Sequence, residues 1–202
     1  MVIKWLVWLV LSSCLLAHPV TWSGGRVLTL VSTDQMTDLK AHYSVSSRAS
    51  FGLHSVSFDS FNMVMAQANG LLARWNATGA QANVYVFSGL GVTQYGTKNG
   101  WGAHFGLQAD WETRRLHTHV SYDGFYHDDS IHLIRSRLGV APYLGNYDDV
   151  HAWIMLQSTL SIQSNQSTGS LLPLLRLFKD NVLVEIGSNF SSRYLITAMI
   201  HF

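Results

Sequence analysis

Four histidines and three carboxylates crowd one stretch, WGAHFGLQADWETRRLHTHVSYDGFYH at 101–127. If 101–112 and 115–127 form the two arms of a hairpin, alternation puts His104, Asp110, Glu112, His117, His119 and Asp123 on one face. His127 continues that face near its far end. Imidazoles beside carboxylates are donors suited to zinc, copper(II) or nickel. The first chemistry to weigh is therefore a divalent metal site or a cation pathway. The competing reading is a polar filling, hydrogen-bonded and ion-paired inside a narrow interior. It is the stronger of the two, because Arg135 and Arg137 in IHLIRSRLGV supply partners for Asp110, Glu112 and Asp123. A divalent ion is the one cofactor the residues suggest. His18 is a lesser metal candidate: as an amino-terminal residue it would offer an amine and an imidazole together, with Pro19 denying the next amide nitrogen.

A second chemistry is hydrolysis by serine and histidine. AHYS sets His42 and Ser44 on one face, and GSNF offers Ser188. His-x-Ser is a weak signal in a serine-rich chain, and no Gly-x-Ser-x-Gly elbow is present. No catalytic residue is assigned, and a lipid hydrolase stands as the alternative to a non-enzymatic role.

The elements that would position these residues are strands. Apolar residues recur with a period of two at 26–33, 39–46, 49–58, 61–74, 80–93, 101–112, 115–127, 130–141, 150–162, 171–179, 182–190 and 194–202. A turn at Thr113 and Arg114 pairs Trp111 with Leu116 and Leu107 with Val120 on an apolar face, and Glu112 with Arg115 and Asp110 with His117 on a polar one. A loop at 191–193 pairs Phe190 with Tyr194 and Ser188 with Ile196. A turn at Asp180 and Asn181 sets Arg176 opposite Glu185. Arg135 and Arg137 reach the polar face if a bulge near Leu133 and Ile134 shifts the alternation. Such strands imply an all-β, closed antiparallel transmembrane barrel of about twelve strands (ten if 26–46 is not fully in the wall), with a polar interior.

Composition decides which face is outside. Only 12% of residues are charged, against roughly 25% in a typical soluble domain. That is too little to coat an outward polar face on every strand. Trp22, Trp75, Trp101, Trp111, Trp153, Tyr43, Tyr95, Tyr143, Tyr147 and Tyr194 lie near strand ends, as aromatic girdles at two membrane interfaces require. Residues 1–17, MVIKWLVWLVLSSCLLA, read as a signal peptide cleaved after Ala17, leaving 18–202 as one barrel domain. A lipoprotein-type cut before Cys14 ranks second. Removing Lys4 leaves 12 basic and 12 acidic residues, 13 minus one against 12, a balance that argues against a nucleic-acid partner. Cys14 is the only cysteine, so the mature chain has no disulfide.

The chain closes on YLITAMIHF. With the leader and the alternating strands, this resembles the outer-membrane β-barrel proteins of Gram-negative bacteria, whose last strand ends in Phe with apolar residues at alternate positions. The resemblance implies that Tyr194, Ile196, Ala198, Ile200 and Phe202 are a signal read by the barrel assembly machinery, with outer-membrane lipids as the other partner. It implies that SSR at 46–48, NATG, ETRR and KDN are periplasmic turns, and that TQYGTKNG, HDDS and SNQSTG are external. The function expected is a structural envelope protein or a narrow channel for a small solute, linked to metal ions if the histidine face binds them.

Overall fold

Alternation gives each strand one face for the interior and one for the surroundings, and closing the sheet makes the two environments continuous. The computed structural model describes residues 18–146, 148–164, 166–189 and 192–202. The expected leader, Cys14, Tyr147 and the Phe190 pairing lie outside the described residues. The strands are β1 (Arg26–Thr33), β2 (Met36–Ser46), β3 (Ala49–Phe58), β4 (Asn62–Ala77), β5 (Ala80–Tyr95), β6 (Lys98–Thr113), β7 (Leu116–Tyr126), β8 (Ile131–Val140), β9 (His151–Gln163), β10 (Gln166–Lys179), β11 (Val182–Ser188) and β12 (Tyr194–His201). Each pairs antiparallel with its sequence neighbours, and β1 pairs with β12, which closes the barrel. Arg26, Phe202 and the turns after Ser46, Ala77, Thr113, Val140 and Lys179 share one end, here the terminal end. The other connections form the loop end.

The outer face is apolar. Leu53, Leu90 and Leu138 are 63%, 69% and 63% exposed, and Leu107, Ile186 and Ile196 point the same way. A water-soluble protein does not expose apolar surface on this scale, whereas lipid covers it. Trp75, Trp111 and Tyr43 ring the terminal end on this face, and Trp101, Tyr95 and Tyr194 the loop end. Tyr122 joins the second ring, its hydroxyl 2.9 Å from both the Tyr126 hydroxyl and His132 Nδ1. Trp153 departs from the expectation: it lies opposite Arg176 and lines the interior.

Both expected hairpin registers shift by two residues. In β6–β7, Trp111 pairs with Thr118, Asp110 with His119 and Glu112 with His117. Thr113 Oγ1 accepts the amides of Arg115 and Leu116 at 3.1 and 2.9 Å, which widens the turn. In β11–β12, Ser188 meets Tyr194 and Ile186 meets Ile196, while Asn189 Oδ1 accepts the amides of Ser192 and Arg193. A shift of two moves partners along the strand and keeps every side chain on its face. Arg176 does pair with Glu185.

The expected bulge near Leu133 and Ile134 is absent, since β8 pairs with both neighbours in unbroken register. Ile131, Leu133, Arg135 and Arg137 already share the inner face. The two apolar ones find an apolar cluster inside, so no correction is needed. A register shift instead falls between Leu71 and Ala73 in β4. It leaves Leu72 on the outer face, brings Arg74 into the lumen and releases Trp75 to the girdle. TQYGTKNG and SNQSTG are largely strand: Tyr95 pairs with Lys98 and Gln163 with Gln166 across tight turns. Gly96, at φ 57°, permits the first of these.

Placing arginine at Ile186, in the middle of the lipid-facing β11, should lower stability by about 2–4 kcal/mol. Reversible urea unfolding in lipid vesicles measures this, and a variant as stable as the native protein would mean that this face does not meet lipid.

Candidate functional site

The inward side chains leave one continuous cavity of about 1220 Å³ that reaches both rims. Thr33, Gln35, Ser60 and Gln163 line it at the loop end, and Asn76, Gln81, Glu112 and Asn146 at the terminal end. Its walls carry charges, and a charge held away from water must be compensated nearby.

Three compensated groups form the middle. Glu185, only 1% exposed, receives Arg176 Nη2 at 2.7 Å and Arg137 Nη1 at 3.1 Å. Arg137 Nε also donates to Gln157 Oε1 at 2.6 Å. Asp123 accepts Arg135 Nη1 at 2.7 Å and lies 3.0 Å from His104 Nε2. Asp38 lies 3.0 Å from both Lys40 Nζ and His54 Nε2. The His54 and His104 rings meet edge to face at 5.3 Å. These contacts form a polar belt from β2 to β8, although the two histidines come from strands that are not neighbours.

Asp110 and Glu112 are compensated differently. Asp110 accepts the Asn83 amide at 2.7 Å and the Gln108 amide at 3.2 Å, both neutral donors. Glu112 Oε2 lies 3.5 Å from His117 Nδ1, while its Oε1 is buried with no protein partner. On the far side of Asn83, Arg74 donates to the Asn83 and Tyr85 oxygens at 2.6 and 3.2 Å. Two carboxyl groups, Asp110 and Glu112, thus gather on β6 near the terminal end, and the Arg137–Arg176 pair exceeds its single carboxylate by one positive charge.

Towards the loop end the lumen is partly filled by apolar side chains. Val56, Met63, Met65, Phe125, Ile131 and Leu133 form one cluster with Phe61. Met63 and Phe125 share this cluster although β5 and β6 lie between their strands, and glycines line the wall there. A Cβ on Gly102 would come within 2.5 Å of Met63 Cε, and one on Gly91 within 2.0 Å of the Val64 carbonyl. Loops seal this side. His127 lies against Phe61 with ring centroids 3.9 Å apart and planes tilted by 49°, and its burial pushes the imidazole below its ordinary range. Asp129 accepts Ser164 Oγ at 2.6 Å and Gln163 Nε2 at 3.0 Å, which holds its carboxyl below the usual range. The opening is therefore off-centre, beside the Arg193–Asp34 ion pair at 2.9 Å.

The chain before β1 also enters the lumen. A turn at Trp22–Gly25, with Gly24 at φ 88°, reverses its direction. Val20, 2% exposed, packs with Leu71, Tyr85 and Phe87. The Thr21 amide donates to Ser44 Oγ at 3.0 Å, and Ser50 Oγ donates to the Pro19 carbonyl at 3.1 Å. His18 lines the cavity, its ring 5.8 Å from that of Tyr85.

The expected histidine–carboxylate face exists, but its members are dispersed. His104 and Asp123 pair with each other and Arg135, Asp110 is held by amides, Glu112 faces His117, and His119 lies beside His117 with ring centroids 6.4 Å apart. His127 is spent on Phe61. Among the described residues no three His, Cys, Asp or Glu side chains gather so as to hold a metal ion. His42 and Ser44 are inward and buried, and Ser44 Oγ is taken up by Thr21. Ser188 faces outward and pairs with Tyr194. Sequence reasoning missed Asp38, Lys40, His54 and Arg74. The first three lie at alternate positions or in adjacent strands whose alternation was legible, and the signal was available there; Arg74 was hidden by the bulge.

No known protein family matches the sequence, and no curated protein matches it. Among solved structures, the chain is similar to the KdgM porin in complex with disordered oligogalacturonate, over 88% of this chain and 98% of that one, with 10% identity and a TM-score of 0.48. It is similar to the translocator domain of the autotransporter NalP from Neisseria meningitidis over 98% and 93% of the two chains, with 9% identity and a TM-score of 0.43. A loop-deleted OmpT, an outer membrane protein of Vibrio cholerae, gives 89% and 97%, with 9% identity and a TM-score of 0.34. Likeness this distant assigns no ligand or reaction, and the barrel rests on its own strand pairing and outward apolar face.

Replacing Glu185 by Gln leaves Arg137 and Arg176 without a carboxylate and should cost about 3 kcal/mol. Adding Arg176→Gln should recover part of that loss. An unchanged denaturation midpoint for Glu185→Gln would show that this cluster contributes nothing to stability.

Proposed function

We propose that this protein is an outer-membrane barrel of a Gram-negative bacterium whose lumen is a narrow passage for small polar solutes. The observation that carries this reading is the continuous cavity reaching both rims, lined by charges fixed in compensating groups. The terminal end would face the periplasm, lipids would surround the apolar face, and Tyr194, Ile196, Ala198, Ile200 and Phe202 would guide assembly. All of these but the half-buried Ile200 are exposed on the outer side of β12 and its end, where such a signal would be accessible before the β1 seam closes.

The solute class follows from the walls. Opposite charges presented by β6 and by β8–β10 favour small neutral or singly charged molecules over bulky or highly charged ones. The lipid-hydrolase alternative gains nothing from the geometry, because His42 and Ser44 face away from lipid. Metal transport likewise gains no gathered donor set.

Planar-bilayer recording under a salt gradient tests the proposal. The native barrel should give small, resolved conductance steps. Asp110→Asn with Glu112→Gln should move the reversal potential towards anion preference, and Arg137→Gln with Arg176→Gln in the opposite direction. A correctly inserted protein that passes no current in any of these forms would overturn the passage and leave a purely structural barrel.

A further inference from the structure

We infer that the segment 18–25 is a built-in restrictor of the passage, docked in the lumen after the leader is removed. This rests on the passage reading for its effect on flow, and on geometry alone for the docking. Gly24 and Gly25 are tied to Ser44 by backbone bonds at 2.8 Å, and three further contacts hold residues 19–21, each to a residue on the inner wall. Val20 fills an apolar site made by Leu71, Tyr85 and Phe87. Thr21 is bonded to Ser44 through both its amide and its hydroxyl, at 3.0 Å each. The Pro19 carbonyl accepts the hydroxyl of Ser50, a residue with no exposed surface.

This segment is chemically separate from the wall that receives it. It contributes no strand, yet it occupies volume that would otherwise belong to the cavity, against β2 to β5 at the terminal end. Pro19 fixes one backbone angle and lowers the entropy lost on docking. Three neutral hydrogen bonds and one apolar side chain are a modest attachment for residues 19–21, each worth on the order of 1–2 kcal/mol. Attachment of that strength populates a released state in which the lumen is wider. Cleavage after Ala17 would make His18 the amino terminus, so the chain would end inside the cavity rather than thread back out of it.

The test uses protein exported as the full chain, purified from membranes and reconstituted in vesicles and planar bilayers. Two variants bracket the native protein. Val20→Asp puts a charge into the apolar site and expels the segment. Thr21→Cys with Ser44→Cys locks it, in a mature chain that has no other cysteine. One readout is modification of the α-amine by a water-soluble acylating reagent at neutral pH, followed in the terminal peptide by mass spectrometry. The α-amine is the least basic amine of the chain and reacts first. The other readout is single-channel conductance.

Labelling should be about tenfold faster in Val20→Asp than in the native protein, and its conductance about twofold higher. The oxidised cysteine pair should label slowest and conduct least, and reduction should restore native behaviour. Equal labelling in all forms would overturn the docked segment, and a terminus other than His18 would overturn the chain's ending inside the cavity. Unequal labelling with equal, measurable conductance would overturn its role as a restrictor. Unequal labelling with no current in any form would overturn the passage while leaving the docked segment in place.

Discussion

Inside a bilayer the backbone has no water to bond with, so every amide and carbonyl in the wall must find a partner in the next strand. An open sheet cannot meet that condition at its two edges. The pairing of β1 with β12, seven residue pairs from Val27–His201 to Thr33–Leu195, removes both edges at once. Closure then dictates the rest. The outer face must be apolar because lipid touches it. Whatever polar groups the chain carries between its ends must face inward, where they have mainly each other for company.

The interior is organised by how those groups are compensated. At the loop end apolar side chains replace water, and Met63, Phe125 and Ile131 pack as in a soluble core. In the middle, carboxylates and guanidinium groups meet at 2.7–3.1 Å, so that Glu185, Asp123 and Asp38 each have a cation within reach. At the terminal end Asp110 relies on amides, Glu112 keeps one oxygen unpartnered, and the chain's own start lies against the wall. The cavity is what these three fillings leave.

The wall itself varies in height. A tilted strand needs about 9–11 residues to cross a bilayer. β4, β5 and β6 have 16 each, whereas β11 and β12 have 7 and 8. The short strands border the β1–β12 seam, so the wall is lowest there. The long strands carry Trp101 and Tyr95 past the middle of the apolar band, where interfacial aromatics are stable.

Much of this was legible from residue order. Period-two alternation identified twelve strands, the outward apolar face and the inward position of His104, Asp110, Glu112, His117, His119 and Asp123, because a side chain's face depends only on its parity within a strand. The Asp180–Asn181 turn and the Arg176–Glu185 pair followed from the same rule over a two-residue turn. Parity is silent about sliding by two, so both wider hairpins were misregistered, and a bulge was expected in β8 because Leu133 was assumed to belong outside. Only the closed structure decided which faces meet across the lumen. His54 beside His104, Met63 in one cluster with Phe125, Trp153 turned inward and Val20 packed with Tyr85 all depend on strand number, stagger and the glycines that line the wall. Local sequence determines which way a residue points; what it points at depends on distant strands brought together by closure.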